Sequence, residues 1–253
     1  MFEDIELLFK KLNVRSHRNQ GITVCNVEDA KAGVDLVKQI LYTVVDRKTV
    51  LYLSGGSTPK ALYAKLAKEE KLKPGAMGQI DERYGMPLHQ NSNQLMMRDT
   101  GILRYFEILD IPFYPILRSK TRSETAEDYD QKIRELNAVY SKSTAIMGIG
   151  DDGHTAGLPA LSSKVKVQNS KLYDNFTLVT EYNDTTGKYG ERITTTFLGL
   201  EMIDLLIVLV FGSAKQNALE LMFSDGSEED VPARFYKRAD IAKKTLLITD
   251  QNV

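Results

Sequence analysis

Short apolar segments alternate along this chain with longer amphipathic ones, and this alternation constrains the fold more than any other feature. The segment Val27–Val45 is of the amphipathic kind. Its apolar residues recur at helical spacing, at Val27, Ala30, Val34, Val37 and Leu41. Strands that alternate with helices form a mainly parallel sheet with helices on both faces. We therefore predict an α/β fold.

The alternating pattern predicts six strands and six helices. The predicted strands are Gly21–Val24, Thr49–Leu53, Ala145–Ile149, Thr177–Thr180, Leu205–Phe211 and Thr245–Ile248. The predicted helices are Ile5–Leu12, Val27–Val45, Lys60–Lys71, Asn93–Phe106, Ser123–Tyr140 and Ala214–Phe223. In parallel sheets, ligands bind beyond the carboxyl ends of the strands. Candidate functional residues are therefore expected where these strands end.

Composition excludes several classes of protein. The 253 residues carry a formal net charge of −1, whereas nucleic-acid-binding proteins usually carry a basic excess, so no nucleic-acid partner is expected. The only cysteine, Cys25, lies in an apolar segment; we predict that it is buried, and it has no partner for an intrachain disulfide. The acidic N-terminal segment and the short longest apolar run, Leu205–Phe211, predict neither a signal peptide nor a membrane span. A cytoplasmic location is expected.

The first candidate site follows the predicted strand Thr49–Leu53. It consists of a serine, a glycine pair, two further hydroxyl residues and a proline, in the order Ser54, Gly55, Gly56, Ser57, Thr58 and Pro59. Glycines let the backbone approach an anion closely, and the free N–H groups at the start of a helix bind phosphate. A tight turn with an N-cap and no ligand would show the same pattern. The motif alone leaves both interpretations open.

A second glycine-rich segment follows the predicted strand Ala145–Ile149. Gly148, Gly150 and Gly153 match the G-x-G-x-x-G pattern of dinucleotide-binding folds. Two carboxylates, at positions 151 and 152, would repel a pyrophosphate, and the motif lies in the middle of the chain rather than in an opening β–α–β unit. Carboxylates beside His154 suit acid–base chemistry better. The alternative is a histidine that only forms hydrogen bonds within its own turn.

Charged residues near other predicted strand ends are candidates for binding or catalysis. Asp81, Glu82 and Arg83 follow a weak strand, although an ion pair in a surface turn is typical of such a sequence. Arg192 and Lys215 lie near later strands, where a cation could reach a phosphate. Each of these two, taken alone, is equally typical of a solvated side chain.

Six motifs occur along the chain in this order: Ser54–Pro59, Asp81-Glu82-Arg83, Ser92-Asn93, Gly148–Ala156 with any residue at position 151, Arg192-Ile193-Thr194, and Gly212 with Lys215. Together they resemble the motifs of the 6-phosphogluconolactonase and glucosamine-6-phosphate deaminase superfamily. The resemblance covers nearly the whole chain. It implies a modified Rossmann-like, three-layer α/β/α sandwich, with residues 1–253 forming a single sugar-phosphate hydrolase or isomerase domain.

Three positions resemble the lactonase branch. Arg83 stands where deaminases carry tyrosine, and Thr155 stands where they usually carry isoleucine. Deaminases also place a glutamate shortly after the histidine, and the segment Gly157-Leu158-Pro159 has none. Ring opening and isomerisation of an amino sugar need additional proton transfers. Of the three differences, the missing carboxylate is therefore the strongest argument for a lactonase over a deaminase. A deaminase or sugar-phosphate isomerase stays an alternative.

A non-catalytic sugar-phosphate sensor is the other alternative. Related folds serve as effector domains of bacterial regulators, which would carry an N-terminal helix-turn-helix. Only about twenty residues precede the first predicted strand, which is too few for that motif. An enzyme that acts on a small-molecule sugar phosphate is therefore favoured, and a monomer and a homodimer both stay possible.

The lactonase resemblance implies hydrolysis of 6-phosphoglucono-δ-lactone to 6-phosphogluconate. The implied phosphate-binding residues are Ser54, Gly55, Gly56, Ser57, Thr58, Arg192 and Lys215. The implied general base is His154, oriented by Asp152, with Arg83 stabilising the oxyanion or the product carboxylate and Asp81 as an alternative base. Histidine suits the role because its ordinary pKa is about 6.5. No cofactor or metal is expected, although Asp81, Glu82, Asp152 and His154 could in principle bind a divalent ion.

Overall fold

The fold was analysed in a computed structural model, which describes residues 1–161, 167–168, 172–173, 176–186 and 190–253. The α-helices are α1 (Phe2–Leu12), α2 (Ala30–Val44), α3 (Ser57–Glu69), α4 (Asn93–Asp99), α5 (Ile102–Ile108), α6 (Arg122–Val139), α7 (Phe197–Glu201), α8 (Gln216–Phe223) and α9 (Ala239–Ala242). The strands are β1 (Ser16–Asn19), β2 (Ile22–Asn26), β3 (Thr49–Leu53), β4 (Ala76–Gln79), β5 (Asp81–Arg83), β6 (Lys142–Gly148), β7 (Val167–Gln168), β8 (Val179–Asp184), β9 (Glu191–Thr195), β10 (Leu205–Val210) and β11 (Thr245–Thr249).

A seven-stranded, mostly parallel sheet forms the centre of the molecule. Its strand order is β1-β2-β11-β10-β6-β3-β4, and only β1 runs antiparallel to its neighbour. Every residue of β10 is buried, because alternate side chains contact two separate apolar cores. Helices α1 to α5 contribute to one core, and α6 to α9 contribute to the other. The predicted three-layer α/β/α fold is confirmed.

A smaller antiparallel sheet lies beside the central one, and the alternation argument did not anticipate it. Its strand order is β5-β9-β8-β7. The predicted strand Thr177–Thr180 belongs to this sheet as β8, which starts at Val179 and extends to Asp184. Pairing of β5 with β9 places Asp81 opposite Thr194 and Arg83 opposite Arg192. Two separate candidate segments thereby become neighbours.

The prediction of one helix over Asn93–Phe106 is wrong, because the chain breaks between α4 and α5. Gly101 has a φ of +84°, in the left-handed region that ends helices. Its N–H donates to the carbonyl oxygen of Arg98, which closes the last turn of α4. The apolar spacing continues across the break, so periodicity alone did not locate it.

Two expectations from composition can be compared with the fold. Cys25 lies in β2 with its side chain fully buried, as predicted, and burial raises the pKa of its thiol to about 12. In the described part of the chain, no helix combines the length and the apolar character that a membrane crossing requires.

The break at Gly101 gives a test of stability. We expect Gly101→Ala to lower the free energy of unfolding by about 1–2 kcal/mol, because a left-handed conformation is costly for an L-residue with a Cβ atom. The added Cβ would lie 3.7 Å from the Cβ of Ala67, which is ordinary contact, so strain rather than collision is tested. Gly101→Asn is the control, since asparagine tolerates this region better. Urea unfolding in which alanine equals glycine would contradict the account.

Candidate active site

A cleft of about 240 Å³ opens where β3, β6 and β10 end. Of the eleven predicted site residues, ten line it, namely Ser54, Gly55, Gly56, Ser57, Thr58, Asp81, Arg83, His154, Arg192 and Lys215. The eleventh, Asp152, does not line the cleft but contacts Nδ1 of the His154 ring through its carboxylate. The structure therefore brings residues from five separate sequence motifs into one depression. Asn93, from the sixth motif, also lines the cleft.

The loop after β3 leads into α3 without a side-chain cap. Gly56, at the N-cap position, has a φ of +102°, and as a glycine it has no side chain that could accept a hydrogen bond from the first turn. Tyr63 donates to the carbonyl oxygen of Ser54 at 2.9 Å and fixes the loop from below. A Cβ on Gly55 would lie 1.9 Å from Oδ1 of Asn93, so only glycine fits there. The first-turn N–H groups of α3 are thus suited to an external acceptor at the cleft.

Glu82 is a buried structural carboxylate, which rules out the surface turn considered for this motif. Its side chain is 0% exposed and accepts four hydrogen bonds. The donors are the backbone N–H groups of Arg83, Asn93 and Gln94, at 2.8, 2.6 and 2.8 Å, and Nε2 of Gln79, at 3.0 Å. Burial raises the pKa of the Glu82 carboxyl, and the hydrogen bonds oppose that rise. Glu82 thereby fixes the start of α4 against β5.

Asp81, the first residue of β5, lines the cleft beside Arg192. Its side chain is buried, and its Oδ2 lies 3.4 Å from Nη1 of Arg192. Nδ2 of Asn93 donates to the carbonyl oxygen of Asp81 at 3.0 Å. Because β5 pairs with β9, the carboxylate of Asp81 and the guanidinium of Arg192 are held by neighbouring strands. Arg192 is only 14% exposed, so it is not the solvated cation considered as its alternative.

Arg83 is held in the cleft by the loop that follows it. Its Nη1 donates to the carbonyl oxygen of Asn91 at 2.8 Å. His89, in this loop, donates from Nε2 to the carbonyl oxygen of Arg83 at 2.9 Å. Its Nδ1 accepts from the N–H of Asn91 at 3.3 Å, which assigns the proton to Nε2. His89 thus supports Arg83 without lining the cleft.

The Asp152–His154 pair is the acid–base feature of the cleft. Oδ1 of Asp152 lies 2.7 Å from Nδ1 of His154 and also accepts from the His154 backbone N–H at 3.2 Å. A carboxylate oxygen only accepts, so the pairing assigns the proton to Nδ1 and the lone pair of the neutral ring to Nε2. A Cβ on Gly150 would lie 1.9 Å from Cε1 of His154. The His154 ring therefore packs against Gly150 and occupies the space that a side chain at position 150 would need.

A distant segment braces this loop, and sequence reasoning missed it. Thr155 donates from its hydroxyl to the carbonyl oxygen of Gly148 at 2.9 Å, and Tyr236 contacts the same hydroxyl at 2.6 Å. The backbone N–H of Ala233 donates to the carbonyl oxygen of Gly153 at 2.9 Å. Tyr236 lies 81 residues after Thr155, so no local pattern in the sequence connects the two.

Lys215 is held in place rather than solvated. Its Nζ donates to the carbonyl oxygen of Ile149 at 2.9 Å and lies 2.7 Å from Oδ1 of Asp151. The lysine side chain is 23% exposed, and that of Asp151 is 76% exposed. A cation at the end of β10 is thereby positioned beside the loop that carries His154.

The described residues contain no cluster of three or more histidine, cysteine or acidic side chains arranged to hold a metal ion. This covers the set Asp81, Glu82, Asp152 and His154, which was considered for a divalent ion. Glu82 already has its acceptor positions occupied by backbone and amide donors.

The fold and the cleft define a class of α/β protein in which a glycine-rich helix start, cationic side chains and a histidine meet at the ends of parallel strands. Comparison with protein families assigns the chain to a particular one. Residues 28–246 match the family described as glucosamine-6-phosphate isomerases/6-phosphogluconolactonase, and the chain belongs to this family. The resemblance inferred from the six motifs is confirmed.

Individual relatives agree with this assignment. The chain is 31% identical over 217 residues to a 6-phosphogluconolactonase of Nostoc sp., covering 80% of this chain and 84% of the relative. It is 29% identical over 224 residues to a 6-phosphogluconolactonase of Xylella fastidiosa, covering 84% and 90%.

Solved structures show the same fold. A 6-phosphogluconolactonase from Plasmodium vivax superposes with a TM-score of 0.74 at 22% identity, covering 99% of this chain and 96% of that one. A monomeric glucosamine-6-phosphate deaminase superposes with a TM-score of 0.64 at 17% identity, covering 89% and 96%. At these identities, the superpositions support the fold and do not separate the two activities.

The packing of His154 over Gly150 can be tested without an activity assay. The chain has three histidines, so NMR of the ring nitrogens can distinguish them. We expect His154 to carry its proton on Nδ1 in the native protein and His89 on Nε2. Gly150→Ala should displace the His154 ring from Asp152 and remove the Nδ1–H signal. Gly148→Ala is the matched control, because its nearest atom would lie 3.9 Å away. An unchanged tautomer in Gly150→Ala would contradict the packing argument.

Proposed function

We propose that this chain is a 6-phosphogluconolactonase, which hydrolyses 6-phosphoglucono-δ-lactone to 6-phosphogluconate. One observation carries the proposal: His154, paired with Asp152, lines the same cleft as an uncapped helix start with two glycines. A general base and an anion site within one small cleft suit a phosphorylated substrate whose other end reacts with water. The relatives named 6-phosphogluconolactonase support the same activity.

The phosphate group binds at the start of α3. The backbone N–H groups and hydroxyls of Ser54–Thr58 donate to its oxygens, and the helix dipole favours the negative charge. Arg192 and Lys215 supply positive charge from two further strand ends. The whole chain has a formal net charge of −1, so its overall charge does not attract an anion. The attraction for the phosphate must therefore come from these nearby cations. With its phosphate fixed, the lactone has its position set relative to His154.

His154 activates the water. Its Nε2 takes a proton from water as the oxygen attacks the lactone carbonyl carbon, and a C–O bond forms. Asp152 stabilises the imidazolium that results, through the Nδ1–H hydrogen bond. The tetrahedral intermediate then breaks its bond to the ring oxygen, which receives the proton back from Nε2. The product is an open chain with a carboxylic acid, which loses its remaining proton to solvent and becomes the carboxylate.

Arg83 is the group that stabilises negative charge at the reacting carbon. It lines the cleft and is held there by the carbonyl oxygen of Asn91. Asp81 is the alternative base, but its carboxylate lies beside the guanidinium of Arg192, which favours a role in holding that cation. The proposal treats residues 1–253 as one domain, since both sheets supply residues to the cleft.

The first test is the choice of substrate. We expect the purified protein to hydrolyse fresh 6-phosphogluconolactone well above the spontaneous rate. We expect no ammonia from glucosamine 6-phosphate, because the segment Gly157-Leu158-Pro159 supplies no carboxylate for the extra proton transfers. Ammonia release at an enzymatic rate would support the deaminase alternative instead. Binding of sugar phosphates with neither reaction would support the sensor alternative.

The second test replaces the base. We expect His154→Asn to lower kcat by about 10²–10⁴, the usual contribution of a positioned general base. Affinity for 6-phosphogluconate should change little, because the phosphate is bound at the other end of the cleft. His17→Asn, on the exposed face of β1, is the matched control and should behave as wild type. Melting temperatures are measured on the same preparations. Retained kcat, or a loss explained by unfolding, would remove His154 from this role.

A further inference from the structure

An ion pair at the mouth of the cleft belongs to none of the roles described above. Lys215 Nζ lies 2.7 Å from Oδ1 of Asp151, and both residues line the cleft. Asp151 occupies the one position that the family motif around His154 leaves open. Its carboxylate is 76% exposed, so the surroundings neither bury it nor force it to pair.

The ion pair is not required to hold the lysine. The carbonyl oxygen of Ile149 already accepts a hydrogen bond from Nζ at 2.9 Å. The amide of Asn217 donates to the backbone carbonyl oxygen of Asp151 at 3.3 Å, which fixes the backbone independently of the carboxylate. Removing the negative charge at position 151 should therefore leave Lys215 in the same place.

A phosphate bound at the start of α3 would be a second anion for the same ammonium group. Lys215 would interact with both, and its attraction for the phosphate is reduced by the carboxylate that it already contacts. The two anions would also repel each other across the exposed mouth of the cleft, where salt screens charges strongly.

We propose that Asp151 is an affinity-determining residue, an internal anion that competes with the substrate's phosphate for Lys215 and weakens its binding. This inference rests on the proposed function in taking a phosphate group as the ligand. The competition is modest, because an exposed ion pair contributes little free energy. Its effect falls on binding, in ground and transition states alike, and leaves the chemical step unchanged.

Asp151→Asn tests the proposal, because asparagine keeps an acceptor of the same length for Lys215 and removes only the charge. The probe is inorganic phosphate, titrated by isothermal calorimetry or by ³¹P NMR at about 20 mM and about 300 mM NaCl. We expect the variant to bind phosphate about two- to five-fold more tightly than wild type at low salt, the range that an exposed pair allows. The gain should shrink at high salt.

Two controls make the outcome specific. Glu6→Gln removes one exposed carboxylate on α1, outside the cleft lining, and should bind phosphate as wild type does. In a Lys215→Met background, Asp151→Asn should give a smaller gain than it gives in the wild type, because only the direct repulsion between the two anions is left to remove. In lactone hydrolysis, KM should fall by the same factor as the phosphate affinity rises, with kcat unchanged.

Several results would overturn the proposal. Equal or weaker phosphate binding by Asp151→Asn would mean that the carboxylate positions Lys215 instead of competing. An equal gain in Glu6→Gln would mean a general charge effect. Wild-type protein that binds phosphate but hydrolyses no lactone would contradict the proposed function alone, and the phosphate titrations would still decide the role of Asp151.

Discussion

The parallel pairing of β3, β6 and β10 is the constraint on which the cleft depends. In register, Leu53 lies beside Ile146, and Leu209 lies beside Gly148. The loops that leave these strands therefore start at one edge of the sheet. Hydrogen bonding between the strands fixes that edge. This edge sets the spacing of the loop Ser54–Thr58, the His154 loop and Lys215, although more than 150 residues separate the first from the last.

Oxygen atoms of the protein hold each cation of the cleft before any ligand binds. Arg83 donates to a backbone carbonyl oxygen, Arg192 lies beside Asp81, and Lys215 contacts both a carbonyl oxygen and Asp151. Fixed cations lose little conformational freedom when an anion arrives, which favours precise positioning of the substrate. The same oxygens reduce the attraction of each cation for that anion. These contacts therefore give the cations well-defined positions, but each cation attracts an anion less strongly than it would without them.

The sequence predicted five of the seven central strands, namely β2, β3, β6, β10 and β11, because these are almost entirely buried and read as continuous apolar runs. The exposed β1 and the short Ala-Met-Gly-Gln strand β4 carry no such signal. The predicted bounds of Thr49–Leu53 match β3. The second sheet was missed because β5 is a three-residue Asp-Glu-Arg segment, formed only by its pairing with distant β9. Gly and His motifs located the cleft, but Tyr236 and the burial of Glu82 depend on tertiary contacts that no local pattern reports.

The central claim is that one cleft holds the phosphate at the start of α3 and presents the reacting carbon to His154. A crystal structure with bound 6-phosphogluconate measures this directly. The account places the phosphate on the loop Ser54–Thr58 beside Lys215. It places the product carboxylate within hydrogen-bond reach of His154 Nε2, about 2.6–3.2 Å. A phosphate bound elsewhere, or a product turned so that its carboxylate lies on the glycine loop, would contradict it.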